Sequence, residues 1–241
     1  MILLGLGALT SAQTRVWRDA ETLWKNAAAG SGASKAYYNL AALFETKGKY
    51  DEAIASYRQV TKIDPQRWDA HEKAALLLQK QDKIREAVEH FRSAVQLNPA
   101  ATDARSNLAA GLVSRGEVIE AVQQFRRVLE VAPERNETRV KLGTILAVQG
   151  RLGEATVLLQ QAADHDPQDA KTLLKLGQVL AAQGDLDKAI HFLREAVRLQ
   201  KEDAEAQESL GRALVENGRK DEGAKHLEEA LRIMKSSPVS R

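Results

Sequence analysis

The chain has 241 residues, of which 44% are hydrophobic and 28% charged, a composition typical of globular rather than disordered proteins. Its 35 Lys and Arg nearly balance its 33 Asp and Glu. This balance argues against nucleic acid as the main partner, because a phosphate-binding protein needs a basic excess. The absence of cysteine excludes disulfides, thiolate metal sites and a cysteine nucleophile.

The chain begins with an apolar run without charge, residues 1–12. The run is shorter than the roughly 20 residues that span a bilayer, and it lacks the basic start of a secretory signal. Arg15, Trp17 and Arg18 follow it, and such residues commonly mark a membrane–water boundary. Two interpretations stay open: a frayed helix or mis-set start, and the last turns of a truncated transmembrane helix that tethers the chain to a membrane.

A single helix is predicted next, with Ala20, Trp24 and Ala27 on one face. Residues 30–32, Gly-Ser-Gly, then form a turn. We therefore assign residues 1–33 to an apolar segment followed by half of a repeating unit.

Four separate columns of residues recur at intervals of 34 positions from about residue 34 onwards. Prolines recur at Pro65, Pro99, Pro133 and Pro167. Small residues recur at Ala41, Ala75, Ala109, Gly143, Gly177 and Gly211, and again at Ala53, Ala87, Ala121, Ala155, Ala189 and Gly223. Turn glycines recur at Gly48, Gly116, Gly150, Gly184 and Gly218, with Asp82 in the remaining place. Such a period indicates stacked repeats.

Each repeat is predicted to be a pair of antiparallel helices, called A and B. In the first repeat, helix A covers 34–47, glycine ends it, helix B covers 51–62, and Pro65 prevents its continuation. The small columns let the two helices approach closely. Bulky residues fill the groove toward the next pair, and these are Tyr57, Phe91, Phe125, Leu159, Leu193 and Leu227. The predicted repeats are 34–67, 68–101, 102–135, 136–169, 170–203 and 204–237, followed by a disordered tail at 238–241.

These columns resemble the tetratricopeptide repeat family, whose signature is L-G-x-x-Y/L, then A-x-x-x-F, then P, within 34 residues. Here Leu142-Gly143 with Leu146 supplies the first part, and Ala87 with Phe91 the second. The resemblance covers about 85% of the chain and implies an all-α, right-handed α-solenoid of stacked antiparallel helix pairs. The second repeat departs from the pattern at Asp82, and the sixth at Gly223 and in lacking the closing proline.

The resemblance implies a protein-interaction scaffold that binds an extended peptide segment along the A helices. In the family, the second, fifth, sixth, ninth, twelfth and thirteenth residues of each repeat face the binding groove; we call these the inner columns. The residues singled out there are Lys35, Tyr38, Asn39, Asp69, Glu72, Lys73, Asp103, Ser106, Asn107, Val140, Lys141, Thr144, Lys171, Leu174, Lys175, Gln178, Glu205, Glu208, Ser209 and Arg212.

Basic residues on the inner columns of repeats four to six suggest the chemistry of the partner. Lys141, Lys171, Lys175 and Arg212 approach one line, and Val140 and Leu174 are expected to lie exposed beside them. One hypothesis is an extended segment with acidic and apolar side chains. The alternative is solvated lysines whose stems cover apolar atoms.

Two family patterns can be compared with the inner columns. The Lys and Asn positions of the carboxylate clamp for chaperone C-termini are not met by any consecutive trio of repeats. The asparagine ladder of the O-linked N-acetylglucosamine transferase repeats is met only at Asn39 and Asn107. Neither recognition mode is therefore predicted, apart from a local clamp at these two asparagines.

Motifs for catalysis or cofactor binding are not apparent in the sequence. His71-Glu72 lacks the second histidine of a zinc-binding H-E-x-x-H, and the other histidines are spread along the repeats. Asp185-Leu186-Asp187 is expected to cap a helix. The sequence therefore predicts no enzyme, no cofactor and no metal site.

The N-terminal junction also resembles that of multi-pass membrane glycosyltransferase-like proteins with C-terminal repeats of this family. That resemblance implies a regulatory or substrate-recruiting domain, anchored to the membrane with its repeats outside the cytoplasm. A free-standing scaffold would instead be compatible with a cytoplasmic location.

Overall fold

The computed structural model describes residues 20–30 and 32–236, and every regular element in these ranges is a helix. The apolar segment 1–12, the basic and tryptophan residues at 15–18 and the tail 238–241 lie outside the described residues. None of the helices within those two ranges has the length and apolar character needed to cross a membrane.

The helices follow one another with short connections. Residues 20–27 form α1. The others are α2 (Ala33–Thr46), α3 (Tyr50–Ile63), α4 (Trp68–Lys80), α5 (Ile84–Leu97), α6 (Thr102–Ser114), α7 (Val118–Val131), α8 (Asn136–Val148), α9 (Leu152–His165), α10 (Ala170–Ala182), α11 (Leu186–Leu199), α12 (Ala204–Glu216) and α13 (Lys220–Ser236). The bounds of α2 and α3 agree with the predicted first pair to within one residue.

The chain forms two compact units, and the boundary between Gln124 and Phe125 falls within α7. In unit 1, up to Gln124, each helix from α2 to α6 packs against the next. In unit 2, from Phe125, the same holds from α8 to α13, and the A helices α8, α10 and α12 also contact one another in turn. The predicted all-α fold of stacked helix pairs is confirmed.

The turn within each helix pair requires a left-handed backbone. Five turn glycines have φ between 70° and 84°, and Asp82 occupies the sixth turn at φ 60°. Glycine adopts this conformation without a Cβ penalty, and aspartate tolerates it better than most residues. The six residues of the turn column therefore share a left-handed backbone conformation rather than a single residue type.

Aspartates cap three helices of unit 2. The Asp185 carboxylate accepts a hydrogen bond from the Lys188 backbone N–H at the start of α11. Asp169 and Asp203 do the same for α10 and α12. Each satisfies a backbone donor that has no partner inside its helix. The predicted capping role of Asp185 is confirmed.

A recurring polar contact secures the joints between helix pairs. It is made by the fourth residue of a repeat, whose side chain donates to the backbone carbonyl six residues earlier. Arg105 reaches Pro99 O at 2.8 Å, Gln207 reaches Lys201 O at 3.0 Å, and Arg139 reaches Pro133 O. These contacts satisfy carbonyls at the end of the preceding helix pair, which would otherwise lack partners.

Candidate functional site

Three of the four cations singled out on the inner columns of unit 2 are already paired within the chain. Lys141 Nζ lies 2.7 Å from Glu137 Oε1, and an Arg212 guanidinium nitrogen lies 2.5 Å from Glu208 Oε1. Both pairs join residues one turn apart on one helix. Lys171 is exposed and forms no ion pair with another residue in the described ranges.

A polar network joins α10 to α12. Glu205 Oε1 accepts hydrogen bonds from Lys175 Nζ at 2.8 Å and from Gln178 Nε2 at 2.9 Å. Gln178 Nε2 also donates to Ser209 Oγ at 3.0 Å. Hydrogen bonds from Lys175 and Gln178 hold the pKa of the Glu205 carboxyl below its ordinary value. Residues from inner columns of successive A helices therefore meet on one face.

Apolar residues on this face differ from those expected. Leu174 is only 3% exposed, so the expectation of an exposed leucine is wrong. Its helix, α10, contacts A helices on both sides and two B helices, which covers the fifth column. Val148, by contrast, is 86% exposed at the thirteenth column, and Val215 is exposed at the twelfth. The period alone could have placed both valines on the inner columns. Val140 and Thr144 are half-buried on α8.

The inner face of unit 1 contains an aromatic and ionic cluster. The Arg67 guanidinium donates two hydrogen bonds to the Asp69 carboxylate, each 2.8 Å long. It also lies over the Tyr38 ring, 4.6 Å from the centroid. Tyr38 makes an edge-on contact with buried Tyr57. Burial and the Asp69 charge raise the pKa of Tyr38. Arg67 was not predicted here, because it precedes helix A.

Glu72 is the inner-face carboxylate of unit 1 that lacks a partner. It is half-buried and, among the described residues, neither accepts a hydrogen bond nor forms an ion pair. Burial and the nearby charge of Asp103 raise its pKa, whereas Lys73 opposes the change. The Ser106 hydroxyl, one repeat further along, is also buried without a hydrogen-bond partner among those residues.

The remaining inner-column residues of unit 1 are distributed along α2, α4 and α6. Lys35 and Asp103 are exposed, and Asn39, Lys73 and Asn107 are half-buried. Leu76 and Val113 are exposed large apolar side chains at the ninth and twelfth columns. Sequence reasoning did not single these two out, although their columns identify them. The face therefore offers carboxylates, amides and aliphatic groups.

Comparisons with protein families support the repeat assignment. Models described as tetratricopeptide repeat match residues 34–67, 69–100, 102–132, 134–202 and 174–238. No curated protein matches the chain in a sequence search.

Several solved structures have a similar fold at low sequence identity. YrrB, described as a TPR protein with an unusual peptide-binding site, is 20% identical, with a TM-score of 0.66 over 75% of this chain and 93% of its own. MamA from Desulfovibrio magneticus RS-1 is 19% identical, with a TM-score of 0.67 over 70% of this chain and 96% of its own. PilF from Pseudomonas aeruginosa is 19% identical, with a TM-score of 0.66 over 85% and 93%. The matched models, the 34-residue columns and the stacked helix pairs together show that the chain belongs to the tetratricopeptide repeat family.

Proposed function

We propose that this protein is a non-catalytic scaffold that binds an extended segment of a protein partner along the inner columns of its A helices. The observation that carries this proposal is the polar network of Lys175, Gln178, Glu205 and Ser209. It shows inner-column side chains from two successive A helices gathered on one face with their polar groups within reach of each other.

The cations of unit 2 favour a partner with acidic side chains. Lys141, Lys175 and Arg212 are held by carboxylates on exposed or half-exposed surfaces, and such pairs contribute only about 0–1 kcal/mol. A partner carboxylate can therefore replace an internal one at little cost. Lys171 can bind a partner carboxylate without giving up an internal one, since it forms no ion pair within the described part of the chain.

Exposed aliphatic side chains suit the apolar residues of such a segment. Val148 and Val215 lie on the inner columns of unit 2. In an extended chain, every second side chain points to the same side, so acidic and apolar residues at alternate positions can both face the inner columns. YrrB, a structural neighbour, is described as having a peptide-binding site, which makes peptide binding a reasonable use of this fold.

Charge reversal tests the proposal. Partners are captured from a lysate of the native organism on the immobilised chain and identified, and their affinities are then measured with purified protein. The double variant Lys141→Glu, Lys175→Glu should weaken the capture of an acidic segment by at least about tenfold, because two attractive contacts become repulsive. The measurement is the dissociation constant at low and moderate salt.

A matched control changes the same number of charges on B helices of the same unit. Arg198 on α11 and Lys225 on α13 are both exposed. The double variant Arg198→Glu, Lys225→Glu should bind the partner like the wild type. Equal affinity in all three proteins would reject the role of the basic inner columns, and partners that bind only through B helices would reject the inner face itself.

A second role, as the recruiting domain of a membrane-embedded glycosyltransferase, rests on the tryptophan and basic residues at 15–18. These lie outside the described residues. A continuous upstream reading frame that encodes hydrophobic spans would favour this role. The peptide-binding proposal holds in either setting.

A further inference from the structure

Two histidines that are 19 positions apart in sequence meet inside the second helix pair. His71 lies on α4 and His90 on α5, and their Nδ1 atoms are 3.1 Å apart. The ring centroids are separated by 5.3 Å, with the ring planes tilted by 45°. Both side chains are half-buried. The sequence alone suggested histidines scattered along the repeats, whereas the helix pairing brings these two into direct contact.

Other repeats place a different pair of residues at the same two columns. In the third repeat, Arg105 Nη1 donates to Gln124 Oε1 at 2.8 Å. In the sixth, Gln207 Oε1 lies 2.7 Å from His226 Nδ1. These pairs each combine an unambiguous donor or acceptor with its complement. His71 and His90 instead present two Nδ1 atoms to each other: one of them must carry a proton to form a hydrogen bond, and both can bind a metal ion when neither does.

The geometry of the two nitrogens fits a shared metal ion. Imidazole nitrogens bind zinc at about 2.0–2.1 Å. Two atoms 3.1 Å apart and each about 2.05 Å from one ion subtend an angle of about 98° at it. This value lies between the roughly 90° of tetragonal copper and the roughly 109° of tetrahedral zinc. Small rotations of the two rings would bring this angle to the value that either ion prefers.

We propose that His71 and His90 form a binding site for one divalent transition-metal ion, Zn²⁺ or Cu²⁺, through their two Nδ1 atoms, with water completing the coordination. No group of three or more His, Cys, Asp or Glu within the described residues is placed to hold a metal. The site is therefore a two-ligand site between α4 and α5, and it is independent of the proposed peptide binding.

The chain supplies a matched variant that removes one ligand and keeps the hydrogen bond. His71→Gln converts the pair into the Gln–His pair that Gln207 and His226 already form. After removal of metal with a chelator, the full chain is titrated with zinc chloride in a calorimeter. Wild type should bind one equivalent of zinc. His71→Gln should weaken binding by at least about tenfold, because losing only a hydrogen-bond partner of a metal ligand already costs that much affinity. Circular dichroism checks that the variant is folded.

Two further variants sharpen the test. His226→Ala removes an imidazole whose partner is Gln207 rather than a second histidine, and it should leave zinc binding unchanged. With Cu²⁺ as the probe, the electron paramagnetic resonance spectrum of wild type should show hyperfine coupling to two nitrogens, and that of His71→Gln should not. Equal zinc affinity in wild type and folded His71→Gln, or no binding by wild type at millimolar zinc, would overturn the proposal.

Discussion

The two units build the same helix pair with different residues at its tightest point. In unit 1, alanine on helix A accompanies an aromatic ring on helix B, as at Ala75 and Phe91. In unit 2, glycine accompanies leucine, as at Gly177 and Leu193, and all four of these residues are buried. A Cβ at Gly177 would lie 2.6 Å from Leu193 Cγ. The branched leucine occupies the space that the methyl group of alanine would need.

This difference shows that the two columns must be considered together. Taken alone, the change from alanine to glycine weakens a helix by about 1 kcal/mol. Taken with the change from ring to leucine, it preserves close packing at the density of a protein interior. What recurs every 34 residues is therefore the combined volume of the two facing residues, and not the residue type at either position.

The largest expected effect comes from Gly223 in the last pair of unit 2. The same column holds alanine in the other five repeats, so the pattern suggests that Gly223→Ala is harmless. The structure predicts the opposite, because the new Cβ would lie 2.6 Å from Gly211 O, a backbone atom. We expect a loss of about 3 kcal/mol in the free energy of unfolding, measured with urea.

Gly153 in the same unit provides the control for that substitution. It lies in α9, and a Cβ there would have no neighbour within 4 Å. Gly153→Ala should stabilise the protein by about 0.5–1 kcal/mol through helix propensity alone. If Gly223→Ala stabilised the protein as well, the close approach of α12 and α13 would be wrong.

A smaller change in the free energy of unfolding is expected from converting the glycine–leucine pair of unit 2 into the alanine–aromatic pair of unit 1. Gly177→Ala should cost about 1–2 kcal/mol, since contact with Leu193 outweighs the gain in helix propensity. Adding Leu193→Phe converts the pair to that of unit 1 and should recover most of the loss. A double-mutant cycle by urea unfolding measures the coupling between the two positions. A coupling near zero would mean that the two columns vary independently.

The turns differ between the units as well. Unit 2 has glycine in each of its left-handed turns, whereas Asp82 in unit 1 adopts φ 60° with a side chain. Asp82→Gly should stabilise the protein by about 0.5–1 kcal/mol, because it removes the Cβ penalty. Thermal unfolding should show a higher midpoint, and Gly150→Ala should lower it. A lower midpoint for Asp82→Gly would indicate that the aspartate makes a compensating contact.

The smallest effect concerns the Arg67–Asp69 pair of unit 1. Hydrogen bonds from Arg67 lower the pKa of Asp69, so the pair contributes stability above the unfolded pKa of about 3.9 and loses it as pH falls through the folded value. Asp69→Asn should cost up to about 1 kcal/mol near neutral pH, and this cost should shrink as the pH falls below about 3.9 and the carboxylate takes up a proton. Urea unfolding over a series of acidic pH values measures this, and a pH-independent cost would assign the effect to packing.

The fold was predictable because its determinants are local and periodic. Gly48 marked the end of α2, Pro65 the end of the α3 region, and Asp185 the cap of α11. The candidate surface was less predictable, because exposure depends on neighbours that the sequence does not place. Leu174 is covered by adjacent helices, whereas Val148 near a helix end is not.

Contacts across a helix pair were the least visible in the sequence. His71 and His90 belong to two different helices, and only their columns, shared with Gln207 and His226, connect them. The Arg67 guanidinium over Tyr38 joins the loop before α4 to α2. Such contacts depend on side-chain length and helix crossing geometry, which a periodic pattern does not specify.

The side-chain contacts at the joints make these stacks mechanically uneven. Arg105, Arg139 and Gln207 each donate to the backbone carbonyl six residues before them. The equivalent residues of the second and fifth pairs are His71 and Leu173. The Leu173 side chain has no hydrogen-bond donor. In unit 2, a stretching force or a protease should therefore open the chain first near Pro167. In unit 1, the loop after Pro65 is held instead by Arg67, which bonds the Asp69 carboxylate and lies over the Tyr38 ring.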